Sequence, residues 1–97
     1  MSKFVFHPDA ERDIDEAATW YEMQQIGLGH RFQEAIEAAL ESIRLNPTAY
    51  SRIRGPYRRF VVHRFPYNVV YRPSADALYI LSVPHSHRDP AHWQKRL

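Results

Sequence analysis

Arg58-Arg59-Phe60-Val61-Val62-His63-Arg64-Phe65, then after Pro66 Tyr67-Asn68-Val69-Val70-Tyr71-Arg72, then Leu78-Tyr79-Ile80-Leu81-Ser82-Val83, are the runs that decide the fold of this chain. Each is rich in β-branched and aromatic residues, and each is bounded by turn formers. In the first run Phe60 and Val62 fall on one side and Arg59, Val61 and His63 on the other, which predicts a strand over 58–65 with one buried face. Phe65-Pro66 interrupts it, and a second strand is expected over 67–72. Pro73-Ser74-Ala75-Asp76 reads as a turn. The third run, 78–83, is nearly continuous in apolar character, as in a strand covered on both faces, so it is expected in the sheet's interior. Arginine and histidine recur through these strands, which predicts a face or rim of cationic and titratable groups.

Upstream the period changes. Arg52–Arg54 reads as a short strand and Gly55-Pro56 as a turn. Leu28, Phe32, Ala35, Ile36, Ala39, Leu40 and Ile43 recur at helical spacing, and Asn46-Pro47 stops the pattern because the residue before proline avoids helical geometry. Ala10, Ile14, Ala17, Ala18 and Tyr21 form a second helical stripe ending near Gln25, with Pro8, Asp9 and Glu11 suited to its first turn. Gly27 and Gly29 separate the two stripes, which predicts an antiparallel helical hairpin. Lys3 to Phe6 reads as an N-terminal strand. Strand, two helices, then three to four mainly antiparallel strands make an α+β domain spanning 1–97. The tail from Asp89 to Leu97 is expected as a short turn or helix capping the sheet, with Trp93 as its anchor.

The chain has 97 residues, 44% of them hydrophobic, and no cysteine. That fits one globular domain with no disulfide framework and no thiolate metal site. Met1-Ser2-Lys3 leads straight into Phe4, too abruptly for a signal peptide, and no apolar run approaches a membrane span. A cytoplasmic protein without membrane contact is expected. The net charge of +2 hides a division. Residues 1–49 carry four basic against nine acidic side chains, a net −5, and residues 50–97 carry nine against two, a net +7. Either an anionic partner meets the second half, or acidic helices sit against a basic sheet.

Three chemistries suit the residues of the second half. A ribonuclease needs a base, an acid and positive charge at the phosphate, and Arg59, His63, Arg64, His85, His87 and Arg88 are its candidates. Against this, residue types without geometry carry little weight, and Arg88-Asp89 and His85 have simple turn-forming uses. Three imidazoles from His63, His85 and His87 would be a thin metal site with Asp89 the one nearby carboxylate, so no metal and no cofactor are expected. Binding without cutting is the third: Arg52, Arg54, Arg58 and Arg59 form a basic cluster, and Trp93 is a further candidate contact for a target or nucleic acid.

The ordered set of motifs carries a resemblance. Ala10, Asp13-Ile14 and Tyr21 lie on the first helix, Gly29-His30-Arg31-Phe32 opens the second, and Ile43 with Asn46-Pro47 closes it. Arg58-Arg59, Phe65-Pro66-Tyr67 with Val69 and Tyr71, and Val83 with His85, Arg88-Asp89-Pro90 and Trp93 follow. Over nearly its whole length the chain resembles the RelE/ParE superfamily of small bacterial toxins, the toxin halves of type II toxin–antitoxin pairs, often called plasmid stabilization proteins. The resemblance implies a cognate antitoxin, a toxin–antitoxin hetero-oligomer and growth arrest. It also implies one of two targets: DNA gyrase, bound by ParE-like members, or messenger RNA on the ribosome, cut by RelE-like members. The Phe-Pro-Tyr motif and the His-x-x-Arg-Asp-Pro-x-x-Trp tail look ParE-like. RelE-like nucleases usually carry arginine directly after the tyrosine that opens the middle strand, where this chain has Asn68, and often end in tyrosine or His-Tyr, where it has His92-Trp93 and ends at Leu97. Gyrase inhibition by protein–protein binding is therefore the first expectation. An endoribonuclease is the second, and a non-toxic regulatory binding module the third.

Overall fold

The computed structural model describes residues 3–87 and 90–97. Their order is β1 (Lys3–Phe6), α1 (Pro8–Gln24), α2 (Leu28–Leu45), β2 (Arg52–Arg54), β3 (Tyr57–Val61), β4 (Asn68–Pro73), β5 (Ala77–Ser82) and α3 (Ala91–Gln94). The strands form one sheet in the order β1-β5-β4-β3-β2. β2 through β5 pair antiparallel in chain order, and β1 closes the other side by running parallel to β5, with Val5 opposite Tyr79. The expected α+β architecture is present. The total of five strands includes the N-terminal one, which joins the same sheet.

Pro8 stands in the first turn of α1, where its missing N–H leaves no hydrogen bond unmade. His7 caps that turn, its Nδ1 accepting the N–H of Asp9 at 3.0 Å. At the hairpin bend Gly27 has φ 89°, a left-handed conformation that favours glycine. Glu22 ties the bend down, accepting the N–H groups of Gly27 and Gly29 at 2.9 and 3.0 Å. A Cβ at Gly29 would lie 2.5 Å from the carbonyl oxygen of Ala18, so the close approach of the two helices requires glycine there.

The helical stripes bury Ala10, Ala17 and Ala18 from α1 and Phe32, Ile36, Ala39 and Ile43 from α2 against Val62, Val69, Tyr71, Leu78 and Ile80 of the sheet side. Each large apolar side chain here contributes roughly 1.5–3 kcal/mol. Tyr71 is wholly buried, yet its hydroxyl donates to the carbonyl of Pro47 at 2.8 Å, so no polar atom is stranded. A smaller cluster of Val70, Leu81 and Trp93, with Ile53 and Tyr57 beside it, lies on the opposite sheet face beneath the tail.

Two strand boundaries differ from expectation. The strand expected over 58–65 stops at Val61. Val62 turns into the core, its N–H donates to the carbonyl of Tyr67 at 2.9 Å, and Arg64 takes a left-handed φ of 71°. Residues 62–67 are therefore a hairpin loop that tucks Phe65 under the helices, where it meets Phe32 and Tyr21 edge to face. β4 starts at Asn68, and Tyr67 makes a single isolated bridge to His85. β5 lies in the sheet's interior as its apolar run predicts, covered by the helices on one side and by Leu81's contact with Trp93 on the other.

Candidate functional site

Two surfaces hold the side chains singled out from the sequence, and they lie on opposite faces of the sheet. The first is a groove of about 500 Å³ between α2 and the β3–β4 hairpin. Its walls are Leu28, Ala35, Ala38 and Ala39 of α2 against Phe60 and Phe65. Alanine at three of these positions, with Ser42 a turn further on, leaves the space that larger residues would close. The rim is cationic, with Arg31 on the helix and His63 and Arg64 on the loop. Arg64 donates from Nε to His63 Nε2 at 3.3 Å, so the two side chains sit together on the loop.

The second surface is the open sheet face. Adjacent residues of a strand point to opposite sides, so Arg58 and Arg59 part company. Arg58 turns to the helix side, where its Nη1 donates to the carbonyl of Tyr50 at 2.7 Å, a structural use. Arg59 points to the open side and lines a hollow of about 220 Å³ together with Asn68, His85, Ser86 and Trp93. Further along the same face the guanidinium of Arg72 stacks on the ring of Tyr79, 4.3 Å from its centroid. Arg52 and Arg54 are exposed on β2, the edge strand.

The ribonuclease candidates are thus divided. Arg59 and His85 share one hollow, whereas His63 and Arg64 border the groove on the helix side. His87 stacks near His85 with ring centroids 5.4 Å apart, and its N–H donates to His85 Nδ1 at 3.1 Å. Arg88 lies outside the described residues, as does Asp89. The hollow's remaining polar lining, Asn68, Ser86 and Gln94, is uncharged, and Asn68 brings an amide where a phosphate-binding site would use a cation. Among the described residues no group of three or more His, Asp or Glu side chains is placed to hold a metal ion. Trp93 is 7% exposed, packed on Val70 and Leu81, so it is a tail anchor with little surface left for a target.

The tail is held by a pair that sequence reading did not single out. Arg96 grips Asp13 of α1 through two bonds, Nη1 to Oδ2 at 2.8 Å and Nη2 to Oδ1 at 3.1 Å. Asp13 also accepts the Ser82 hydroxyl at 3.1 Å and the Val83 N–H at 3.0 Å, and Arg96 donates to the Leu81 carbonyl. Burial alone would raise the Asp13 pKa, but the hydrogen bonds from Arg96, Val83 and Ser82 and the charge of Arg96 outweigh it and hold the carboxyl below its ordinary value. The partners stand 83 positions apart, so no local pattern announces them. The groove's lining was closer to legible: Leu28, Ala35 and Ala39 lie on the apolar stripe, but nothing in the stripe says that small residues would leave it partly uncovered.

The family model for the ParE toxin of type II toxin–antitoxin systems, parDE, matches residues 4–90. The chain belongs to the ParE toxin family. Among solved structures this ParE-family chain is similar to one described as "Chromosomal ParDE TA system from P. aeruginosa", with a TM-score of 0.63 and 14% identity, covering 88% of this chain and 96% of that one. At that identity the likeness is one of fold. No curated protein matches the sequence significantly. No helix among the described residues is long and apolar enough to cross a membrane.

Proposed function

We propose that this ParE-family chain arrests growth by gripping an essential protein, with DNA gyrase as the target, and that a cognate antitoxin restrains it. The observation that carries the choice of gripping over cutting is the division of the cationic and imidazole groups between two faces. Cleavage at a 2′-hydroxyl needs base, acid and phosphate clamp around one phosphate. The open-face hollow offers Arg59 and His85 beside the amide of Asn68, and His63 and Arg64 belong to the groove. The exposed arginines Arg52, Arg54 and Arg59 are the target-binding residues in this reading. The helix–sheet groove receives a segment of the antitoxin: its apolar floor suits an amphipathic helix, and its rim of Arg31 and Arg64 suits acidic residues at the flanks of that helix. Maintenance of a plasmid would follow from toxin and antitoxin being made as a pair. Purified gyrase titrated with the toxin should lose its supercoiling activity, and full supercoiling at saturating toxin would overturn the gyrase assignment.

One observation favours a second reading. Arg59 and His85 line one hollow, so a ribosome-dependent endoribonuclease would have a guanidinium and an imidazole at the scissile phosphate. It predicts codon-register cuts in translated messages that disappear with His85→Ala. Intact transcripts in arrested cells would end it.

A further inference from the structure

A second cleft, of about 430 Å³, lies between α1, from Asp9 to Trp20, and the chain leaving β5; it shares no lining residue with the groove and meets the open-face hollow at Pro84 and His85. Its apolar walls are Trp20, Tyr67 and Pro84, with the ring of His85 beside Tyr67, centroids 5.2 Å apart. Trp20 is 56% exposed, an unusual cost for the largest side chain in the protein when a core is available one turn away. It is held edge to face on Tyr21, centroids 5.1 Å apart. The charges around the cleft are already partly spent. Arg96 is consumed by Asp13, and Arg12 pairs with Asp9 at 3.2 Å. That leaves the carboxylate of Glu16 facing the cleft, with no hydrogen-bond or ion-pair partner among the described residues, and the exposed Asp15 next to it.

An aromatic-walled cleft with one uncommitted carboxylate matches a planar cation. A guanidinium can stack on an indole or phenol ring while its N–H edge forks onto a carboxylate, whereas a neutral amide gains neither interaction to the same degree. The sign of the charge is local. The cleft's lining carries three carboxylates, Asp9, Asp13 and Glu16, against the guanidiniums of Arg12 and Arg96, with His92 beside them, whereas the exposed arginines of β2 and β3 make the opposite end of the sheet basic. We propose that the cleft walled by Trp20, Tyr67 and Glu16 is a docking site for an arginine side chain of a partner protein, separate from the groove, so that both surfaces can be occupied at once.

The test is a nuclear magnetic resonance titration of the full chain with the peptide acetyl-Gly-Arg-Gly-amide, and with its citrulline counterpart, which keeps the shape and lacks the charge. The arginine peptide should shift the Trp20 indole N–H and the backbone N–H groups of Glu16 and His85 saturably, with a Kd on the order of 1–10 mM as expected of one side chain. The Trp93 indole should stay in place. Glu16→Gln should weaken the effect about tenfold, by the loss of a charge-assisted bond, and Trp20→Ala should remove it. An unmoved Trp93 indole in Trp20→Ala would show that the variant is folded. Equal shifts with the citrulline peptide, shifts that survive Glu16→Gln, or no saturable shift at all would each overturn the proposal.

Discussion

The two faces of this sheet are covered by very different amounts of protein. On one, Val69, Tyr71, Leu78 and Ile80 lie under two helices of 17 and 18 residues. On the other, Val70 and Leu81 are covered by one four-residue helix whose Trp93 does the packing and whose end is fastened by Arg96. The helix-covered face is a continuous core that tolerates a groove at its border. The open face keeps its polar strand residues, Arg59, Asn68 and Arg72, in reach of partners because the tail covers so little of it. Under the proposed function, stability and target binding fall to opposite sides of one sheet.

That division predicts a graded response to mutation. Phe32→Ala removes a wholly buried ring from the thick side and should cost about 3–5 kcal/mol, enough to unfold much of the protein in a denaturant titration. Asp13→Ala strips Arg96 of its bidentate partner, leaving it the 3.8 Å contact to Asp9 and the bond to the Leu81 carbonyl, and should cost about 1–3 kcal/mol. Its loss should expose the Trp93 fluorophore while helical circular dichroism persists at low temperature. If Asp13→Ala proved as damaging as Phe32→Ala, the tail would belong to the main core and the comparison would fail.

The same pair gives a pH dependence. Asp13 has a depressed folded pKa, so its contribution is present above the ordinary carboxylate range and is lost as pH falls through the folded value. Chemical denaturation from pH 6 down to pH 2 should show that loss, and Asp13→Asn should flatten it. Tyr71 acts at the other end of the scale. Burial pushes its hydroxyl up to about 12, against the opposing charge of Arg58. The unfolded phenol ionises first, so stability present below about pH 10 should decline as pH rises toward the folded value. Tyr71→Phe should remove that decline and cost about 1 kcal/mol for the bond to Pro47.

Smaller effects on stability should accompany large effects on binding. Ala38→Trp fills the groove from an exposed position, so stability should move by no more than about 0.5 kcal/mol. Antitoxin affinity, measured by calorimetry, should nevertheless fall at least about a hundredfold, since the groove must be vacant to accept a helix. Arg52→Ala with Arg54→Ala should leave the melting temperature nearly unchanged and raise the toxin concentration needed to inhibit gyrase by about tenfold.

The thick face was the easier one to read in the sequence. Its helical stripes and the apolar run of β5 are local patterns of period 3.6 and continuous burial, and they placed α1, α2 and β5 within two residues of where they stand. The family resemblance came from the same ordered motifs. The end of β3 was hidden because Val62 and His63 continue the alternation of a strand, and the left-handed turn at Arg64 leaves no mark in the residue pattern. The division of Arg59 and His85 from His63 and Arg64 depends on that turn, so neither surface was legible as a unit. The tail's fastening was hidden for another reason: Asp13 and Arg96 stand 83 positions apart and are brought together only by the tertiary fold.

The claim that the open face grips and does not cut is tested most directly by inducing the wild-type toxin and His85→Ala in cells, without antitoxin, and following growth alongside transcript integrity. Both should arrest growth while messages stay full length. Codon-register cuts in wild-type cells that vanish with His85→Ala would contradict the account.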